Sequence, residues 1–349
     1  MSWKLQPARA AFEEHRAFWD DLNRRGSGHV LLDSAFIAPL VRQFGSERTL
    51  LAVNTDPSSP GAMLLEARRG GFWNTFQPSQ APIGLALLPG SPDPSRPVRE
   101  LMSRLPGYAL EIGILQQDPE ISDFRAAPPS GLVRVAPYIE TARVSVRGSF
   151  SEYWNARGKD LKTNLERRVR RLDRQGIRHE VQIVRTADRI PEAIRDYARL
   201  EGTGWKAGMG TAVSSDNDQG RYYRDVLEAL CERGEAAVFQ LTLDGHVVAS
   251  QLGVSRNGIL VLLKMAYDEA FQEHSPGYIL QHKILESVFQ DSSMKSVEFY
   301  GRVRRGWTDK WTDETRTMVH VTFYRHSWVD PALKLVRSLA RPRSRSESA

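Results

Sequence analysis

Apolar positions recur along the chain with two periods, one that suits strands and one that suits helices. From Thr49 the run LLAV is followed by the turn-rich TDPSSPG, then AMLLEARR, Gly70-Gly71 and FWNTF. The loop QAPIG, a helix over 98–105 and a strand over 108–115 complete this stretch. From Ala236 the order repeats: AVFQLTL, the turn Asp244-Gly245, HVVASQLGV, the turn Asn257-Gly258, ILVLLKMAY, the loop HSPGY, a helix to Phe289 and a strand over 297–300. Asp-Gly and Asn-Gly between alternating apolar runs favour hairpins, because a type I′ turn needs positive φ at both central residues. Helical periodicity precedes each set, over 12–24 and 34–44 in the first and over 190–201 and 220–233 in the second. The pattern predicts an α/β protein of α+β, mixed-sheet type, with two tandem units. Each unit is a mostly antiparallel meander with a crossover helix and flanking helices.

The predicted boundaries follow the repeat. Residues 1–140 form the first unit, 141–180 a connecting strand and basic helix, 181–328 the second unit, and 329–349 a basic tail expected to be disordered. The tail ends in RPRSRSESA, which has no apolar anchor. A single helix is expected over 151–175, with Leu161, Leu165, Val169 and Leu172 on one face. Its other face carries Lys159, Lys162, Arg167, Arg168, Arg170, Arg171 and Arg174. Asp160, Glu166 and Asp173 interleave with these cations and no aromatics accompany them, which favours a solvated face over a nucleic-acid stripe. Some of these arginines facing an anionic substrate is the intermediate reading.

Composition narrows the class. With 41% hydrophobic and 26% charged residues the chain of 349 residues is neither a membrane-spanning nor a disordered type. Its one cysteine, Cys231, excludes an internal disulfide framework and a multi-cysteine zinc site. Cys231 sits in the apolar pattern of Val226, Leu227 and Leu230, so a buried structural thiol is expected. The absence of a basic-then-apolar N-terminal signal and of an apolar run near 18 residues predicts a cytoplasmic location without a transmembrane segment.

One junction stands out. Ser275-Pro276-Gly277 lies between the strand ending at Ala266 and a helix, with Ser275 suited to the N-cap and Pro276 to the first helical position. The N–H groups of residues 277–279 then lack intrahelical partners, and the positive end of the helix can hold a phosphate. The plainer alternative is that the three residues merely start a helix.

The series of motifs around that junction resembles the GNAT acyltransferase fold, and more narrowly the CelD-like bacterial acetyltransferase branch related to the FemAB aminoacyl transferases, which carries two GNAT units in tandem. The residues that carry the resemblance are Leu200-Glu201 with Gly204-Trp205-Lys206, DGHVVAS at 244–250, Lys264-Met265-Ala266-Tyr267-Asp268, Ser275-Pro276-Gly277, Glu298-Phe299 and Trp311-Thr312-Asp313. Ser34-Ala35-Phe36 matches more faintly in the first half. HSPGY departs from the Gly-rich loop of single GNAT units in having one glycine; where the family has a Tyr-Lys pair shortly before the final Trp this chain has Trp307-Thr308, and Lys310 sits beside Trp311.

The resemblance implies direct attack of an amine on the thioester of an acyl-CoA, most simply acetyl-CoA, without a metal. The acceptor it implies is an amine of a small molecule or sugar, in polysaccharide or cell-envelope biosynthesis. Met265, Ala266, His274, Ser275, Gly277 and Tyr278 are then the donor-binding residues. Glu298 and Tyr300, alternating with Val297 and Phe299 on one strand face, become the proton acceptor and the donor to the leaving group, with Lys310 as a further catalytic cation. The alternative for Glu298 is an ion pair with a neighbouring cation. Trp205, Lys206, Lys264 and Arg302 are assigned to substrate; a packed loop tryptophan and a snorkelling Lys264 are the competing readings. Two further functions stay open: a FemAB-like transferase using aminoacyl-tRNA, the one reading with a nucleic-acid partner, and a non-catalytic binding protein on the same fold. No Walker, Rossmann or G-x-S-x-G motif is present. His320 and His326 lie about 20 Å apart if extended, too far to share a metal.

Overall fold

Turn chemistry and strand alternation set two meanders. The computed structural model describes residues 3–202, 213–214 and 216–340. In chain order the elements begin with β1 (Lys4–Pro7), α1 (Ala8–Arg25), α2 (Ser34–Phe44), β2 (Thr49–Asn54), β3 (Gly61–Ala67), β4 (Phe72–Thr75), β5 (Ala86–Leu87), α3 (Ser95–Met102) and β6 (Glu111–Gln117). There follow β7 (Val133–Ser145), α4 (Phe150–Asn155), α5 (Lys159–Arg174), β8 (His179–Val184), α6 (Ile190–Gly202), α7 (Asp218–Cys231) and β9 (Ala236–Leu243). The chain continues through β10 (His246–Arg256), β11 (Ile259–Tyr267), α8 (Pro276–Gln290), β12 (Ser296–Phe299), α9 (Thr308–Trp311), β13 (Thr315–Tyr324) and α10 (Val329–Ala340). Both predicted hairpin turns form with positive φ at their two central residues, Asp244 and Gly245 in one, Asn257 and Gly258 in the other.

The chain divides into two units. The first comprises residues 1–27, 45–138 and 318–349, the second residues 28–44 and 139–317. In the first, the strand order is β1-β2-β3-β4-β6-β13, with β5 also on β3. Trp73, Leu101, Ile112, Phe124 and Phe323 are buried in its core. In the second, the order is β7-β12-β11-β10-β9-β8. Its core includes Leu165, Leu172, Phe239, Leu280, Leu285 and Trp311.

The divisions differ from the predicted boundaries because two strands are exchanged. β13, late in the chain, pairs antiparallel with β6 of the first unit, while the end of β7 pairs antiparallel with β12 of the second. The α2 segment also belongs to the second unit: Arg42 pairs with Asp225 at 3.1 Å and Asp33 with Arg233 at 3.0 Å.

Two local expectations are corrected. The single helix expected over 151–175 is two helices. Ser149 and Glu152 form a capping box for α4, and Gly158, with ψ 139°, opens α5 from an extended conformation. Within the tail expected to be disordered, Val329–Ala340 is helical, with Asp330 in its first turn bonded to the Tyr324 hydroxyl at 3.0 Å. Residues 341–349 lie outside the described residues. No described helix is long and apolar enough to cross a membrane.

Candidate functional site

The second unit opens its sheet at one place. β11 and β12 run parallel through Ile259↔Ser296, Leu260↔Val297 and Val261↔Glu298, and there the pairing stops while β11 continues to Tyr267 along β10. The β10–β11 register shifts opposite Leu252 and Gly253, so that Leu263 is the extra residue of a bulge at the start of the opening. From Leu262 onward no described strand pairs with β11 on its β12 side.

The chain then makes a 3-10 turn over Glu269–His274 and enters α8. Ser275 does not cap this helix in the expected way. It sits in the left-handed region at φ 50°, and its side chain makes no capping hydrogen bond. The Tyr278 and Ile279 N–H groups both turn back on the Ser275 carbonyl, at 3.0 and 3.3 Å. Of the three donors expected at 277–279, the Gly277 N–H is the one with no acceptor among the described residues. Gly277 also allows a close approach to β11, since a Cβ there would lie 3.2 Å from Met265 Sδ. Met265 and Tyr267 thus reach the helix start beside Gly277, while Ala266 between them is buried on β11. His274 is buried, with Nε2 3.4 Å from Glu273 Oε1 and no hydrogen-bond partner for Nδ1 among the described residues.

A cavity of about 420 Å³ lies against this helix start, lined by Leu161, Asn164, Leu165, Arg167, Arg168, Ser275, Tyr278 and Lys310. α5 supplies two of its cations, and Glu273 explains why α5 sits there. Arg168 donates to the Glu273 carbonyl and Arg171 pairs with the Glu273 carboxylate at 2.6 Å. Lys310, on α9, lies over the Tyr278 ring at 5.7 Å. Tyr278 donates to the Gly306 carbonyl at 2.7 Å. Burial, then the nearby Asp309 and Tyr267, push its hydroxyl above the usual tyrosine value, so it stays protonated. Trp311, fully buried, fixes α9 through Tyr278, Trp307 and Trp154 at ring separations of 5.9, 6.1 and 6.3 Å.

Glu298 sits at the last β11–β12 pair, and the ion pair weighed in the sequence is present. Both its oxygens accept from Arg316, at 3.3 and 2.6 Å. The Arg316 guanidinium lies 5.0 Å from the centre of the Tyr300 ring, which makes Glu298, Arg316 and Tyr300 one stack. The Tyr300 oxygen is 3.3 Å from His29 Nε2, and His29 Nδ1 accepts from the Leu31 N–H at 3.2 Å. A ring nitrogen that accepts carries no proton, so Nε2 carries it and donates to Tyr300. Burial, reinforced by Arg316 and Arg256, lowers the His29 pKa to about 3, which keeps this neutral tautomer at ordinary pH.

Lys264 faces inward. Its Nζ is 3.6 Å from Glu201 Oε1, 3.2 Å from Gln219 Oε1 and 5.7 Å from the Tyr223 ring centre. Glu201 is buried and also accepts from the Val213 N–H at 2.7 Å. Trp205 and Lys206, assigned to substrate from the sequence, lie outside the described residues. Arg302 is exposed on the loop between β12 and α9. Cys231 is buried, and burial pushes its thiol up to about 11, so it is unreactive at neutral pH. The two histidines considered for a metal have other partners: His320 Nδ1 accepts from the Gln116 N–H at 3.0 Å and His326 bonds the Tyr108 hydroxyl at 2.7 Å. Among the described residues no three His, Cys, Asp or Glu side chains converge.

The meander, the parting strand pair and the helix at its mouth are the frame of a known domain. Residues 159–313 match the model of the acetyltransferase (GNAT) domain. This chain carries a GNAT acyltransferase domain. Around it, the fold extends to solved structures of low sequence identity. The C-terminal domain of an Agrobacterium fabrum protein assigned as a lysylphosphatidylglycerol synthetase is 16% identical at TM-score 0.53, covering 91% of this chain and 96% of that one. A conserved Bacteroides thetaiotaomicron protein of unknown function is 14% identical at TM-score 0.56, over 92% and 99%. FemX is 8% identical at TM-score 0.50, over 82% and 90%. At these identities the likeness is one of fold, and it extends over both units. No curated protein resembles the chain closely enough in sequence to count as a match.

The residues that sequence reasoning missed in the second unit are His29, Arg316 and Glu201 as members of a site. Glu201 had a signal, being the charged position on an α6 face otherwise formed by Ile190, Ala193, Ile194, Tyr197 and Leu200. His29 and Arg316 had none, since they reach Tyr300 and Glu298 only through the fold.

Proposed function

We propose that the protein is an N-acyltransferase that takes an acyl group, acetyl in the simplest case, from an acyl-CoA and passes it to an amine of a small molecule or sugar, with the donor held by the second unit. The reading rests on one coincidence at the start of α8: the parted β11–β12 pair, the Gly277 N–H, and the cavity bearing Arg167, Arg168 and Lys310. A helix N-terminus with three added cations suits a pyrophosphate, and the donors compensate for a loop with a single glycine.

The thioester would lie along the free edge of β11 beyond Val261, where backbone N–H groups can stabilise an oxyanion. Tyr300, whose oxygen accepts from His29, donates its proton to the leaving thiolate, and the proton that the acceptor amine sheds as the amide forms restores it. Glu298 has both oxygens on Arg316, so its role in this reading is positioning: it holds Arg316 against the Tyr300 ring. Lys310 serves phosphate binding, and Lys264 with Glu201 faces the acceptor amine. An envelope or polysaccharide precursor is the acceptor class that the resemblance of the motif series favours.

Thermal stabilisation by acetyl-CoA tests the donor. A ligand at a hundred times its dissociation constant adds about 2.7 kcal/mol. No shift with any CoA thioester overturns the reading, and binding of charged tRNA with steep salt dependence replaces it with aminoacyl transfer. For the positioning role, Glu298→Gln should lower kcat while leaving KM for the donor nearly unchanged. A rise in KM alone would instead place Glu298 in binding.

A further inference from the structure

Away from the GNAT cleft, the first unit carries an exposed array of rings. Leu335, Tyr108 and Trp328 are the three most exposed large hydrophobic side chains among the described residues, at 61%, 60% and 58%. They are not scattered. The His326 ring lies between Tyr108 and Trp328, with centroids 6.1 and 5.8 Å away and planes inclined by 22° and 8°. The Trp328 carbonyl accepts the Ala332 N–H at 3.0 Å and so opens α10. Leu335 follows seven residues later, which is about two helical turns and brings it to the same side.

We infer that this array, Tyr108, His326, Trp328 and Leu335, seats the protein on an anionic lipid surface. Rings with a polar edge and an apolar body favour the boundary between water and hydrocarbon, where both parts are satisfied. Their charge neighbours have the sign that anionic headgroups attract. Arg325 lies 4.5 Å over the Tyr108 ring, and Lys334 and Arg134, with 62% and 40% of their side chains exposed, share the single carboxylate of Asp330. From Arg325 onward the sequence holds six cations against two carboxylates. A stacked nucleobase could use the rings and the cations, but it has no use for Leu335, whose aliphatic side chain enters an acyl layer. The helix is 12 residues long, suited to lying in the surface.

The test is co-sedimentation of the full chain with phosphatidylcholine vesicles, with and without phosphatidylglycerol. Binding should require phosphatidylglycerol, weaken with added salt, and fall roughly tenfold or more in Leu335→Asp, as loss of one buried apolar side chain implies. Tyr108→Ser, on a separate loop, should weaken it too, so that the conclusion does not hang on α10 folding in a single variant. No sedimentation with the anionic vesicles, or binding that both substitutions leave unchanged, overturns the inference. Capture of tRNA in place of vesicles, or a dimer in solution that Leu335→Asp dissociates without vesicle binding, overturns it as well.

Discussion

The two units share one plan and differ at the same point in it. In the second, β11 leaves β12 after Val261 and the space beside it stays open to the start of α8. In the first, β4 pairs with β6 through Phe72↔Glu111, Trp73↔Ile112 and Asn74↔Gly113, three pairs as before. There, however, the chain returns to fill the gap. Ala86 and Leu87 pair with β3 where β4 has ended, and the Gly84 N–H donates to the Gln116 carbonyl of β6 at 3.1 Å. Ile83 and Leu85 are buried. The position that holds Glu298 in the second unit holds Gly113 in the first. The cavity at the start of α3 carries Asp56, Asp93 and Glu100 with one Arg96, where that at α8 carries three cations. Identical topology therefore leaves an open edge in one unit and a closed wall in the other, and the side chains decide which.

This contrast can be broken in graded ways. The largest effect is expected at Glu298→Ala, which leaves Arg316 buried against Tyr300 without its main counter-ion. Loss of one partner of a buried pair costs about 3 to 5 kcal/mol, to be read from denaturant unfolding. The next comparison sets one glycine against another. A Cβ at Gly84 would run into the Leu115 carbonyl, whereas at Gly277 it meets the thioether of Met265, which can move. Gly84→Ala should cost about 3 kcal/mol and Gly277→Ala under about 1 kcal/mol. Equal costs would mean that the first unit is not closed as described.

A slightly smaller effect concerns charge. Lys310→Glu with Arg168→Glu should abolish the stabilisation by acetyl-CoA, about 2.7 kcal/mol under saturating conditions, while Arg96→Glu at the matching place in the first unit leaves it intact. Sensitivity to Arg96 alone would move the donor to the first unit.

Acid provides a probe that can be applied in small steps. Burial lowers the pKa of His29 to about 3 and of His282 to about 4, both in the second unit. Below about pH 6.5 the unfolded chain takes up protons that the folded one refuses. Stability should then fall by about 1.4 kcal/mol per histidine for each unit of pH lost, down to those lowered values. Unfolding curves between pH 7 and pH 4.5 check this, and His29→Gln should flatten them.

Much of the second unit could be read from the chain because its signals are local. Asp244-Gly245 and Asn257-Gly258 dictate their turns, and alternation dictates the strands between them. The break at Gly158 was hidden because Phe150, Trp154 and Leu161 keep helical spacing across it, so that a single extended residue leaves no gap in the pattern. Ser275 looked like a cap because its residue type is right, but its left-handed backbone comes from the preceding 3-10 turn. The pairing of Glu298 was anticipated as one of two options, while its partner, Arg316, belongs to a strand whose sequence gives no sign of facing β12. The filled gap in the first unit was also out of reach, since QAPIG reads as a loop whether it lies over an opening or inside it.

The exchanged strands bear on how the chain comes into being. β6 waits for β13, its neighbour in the finished sheet, which lies roughly 200 residues further on. At a synthesis rate of about 5 to 20 residues per second, an unpaired edge stands open for roughly 10 to 40 s as the polypeptide leaves the ribosome. Such an edge is a template for pairing with the wrong chain. The first unit, although first to emerge, is the last to be sealed, and a nascent chain stalled before residue 318 presents a sheet with one side unfinished.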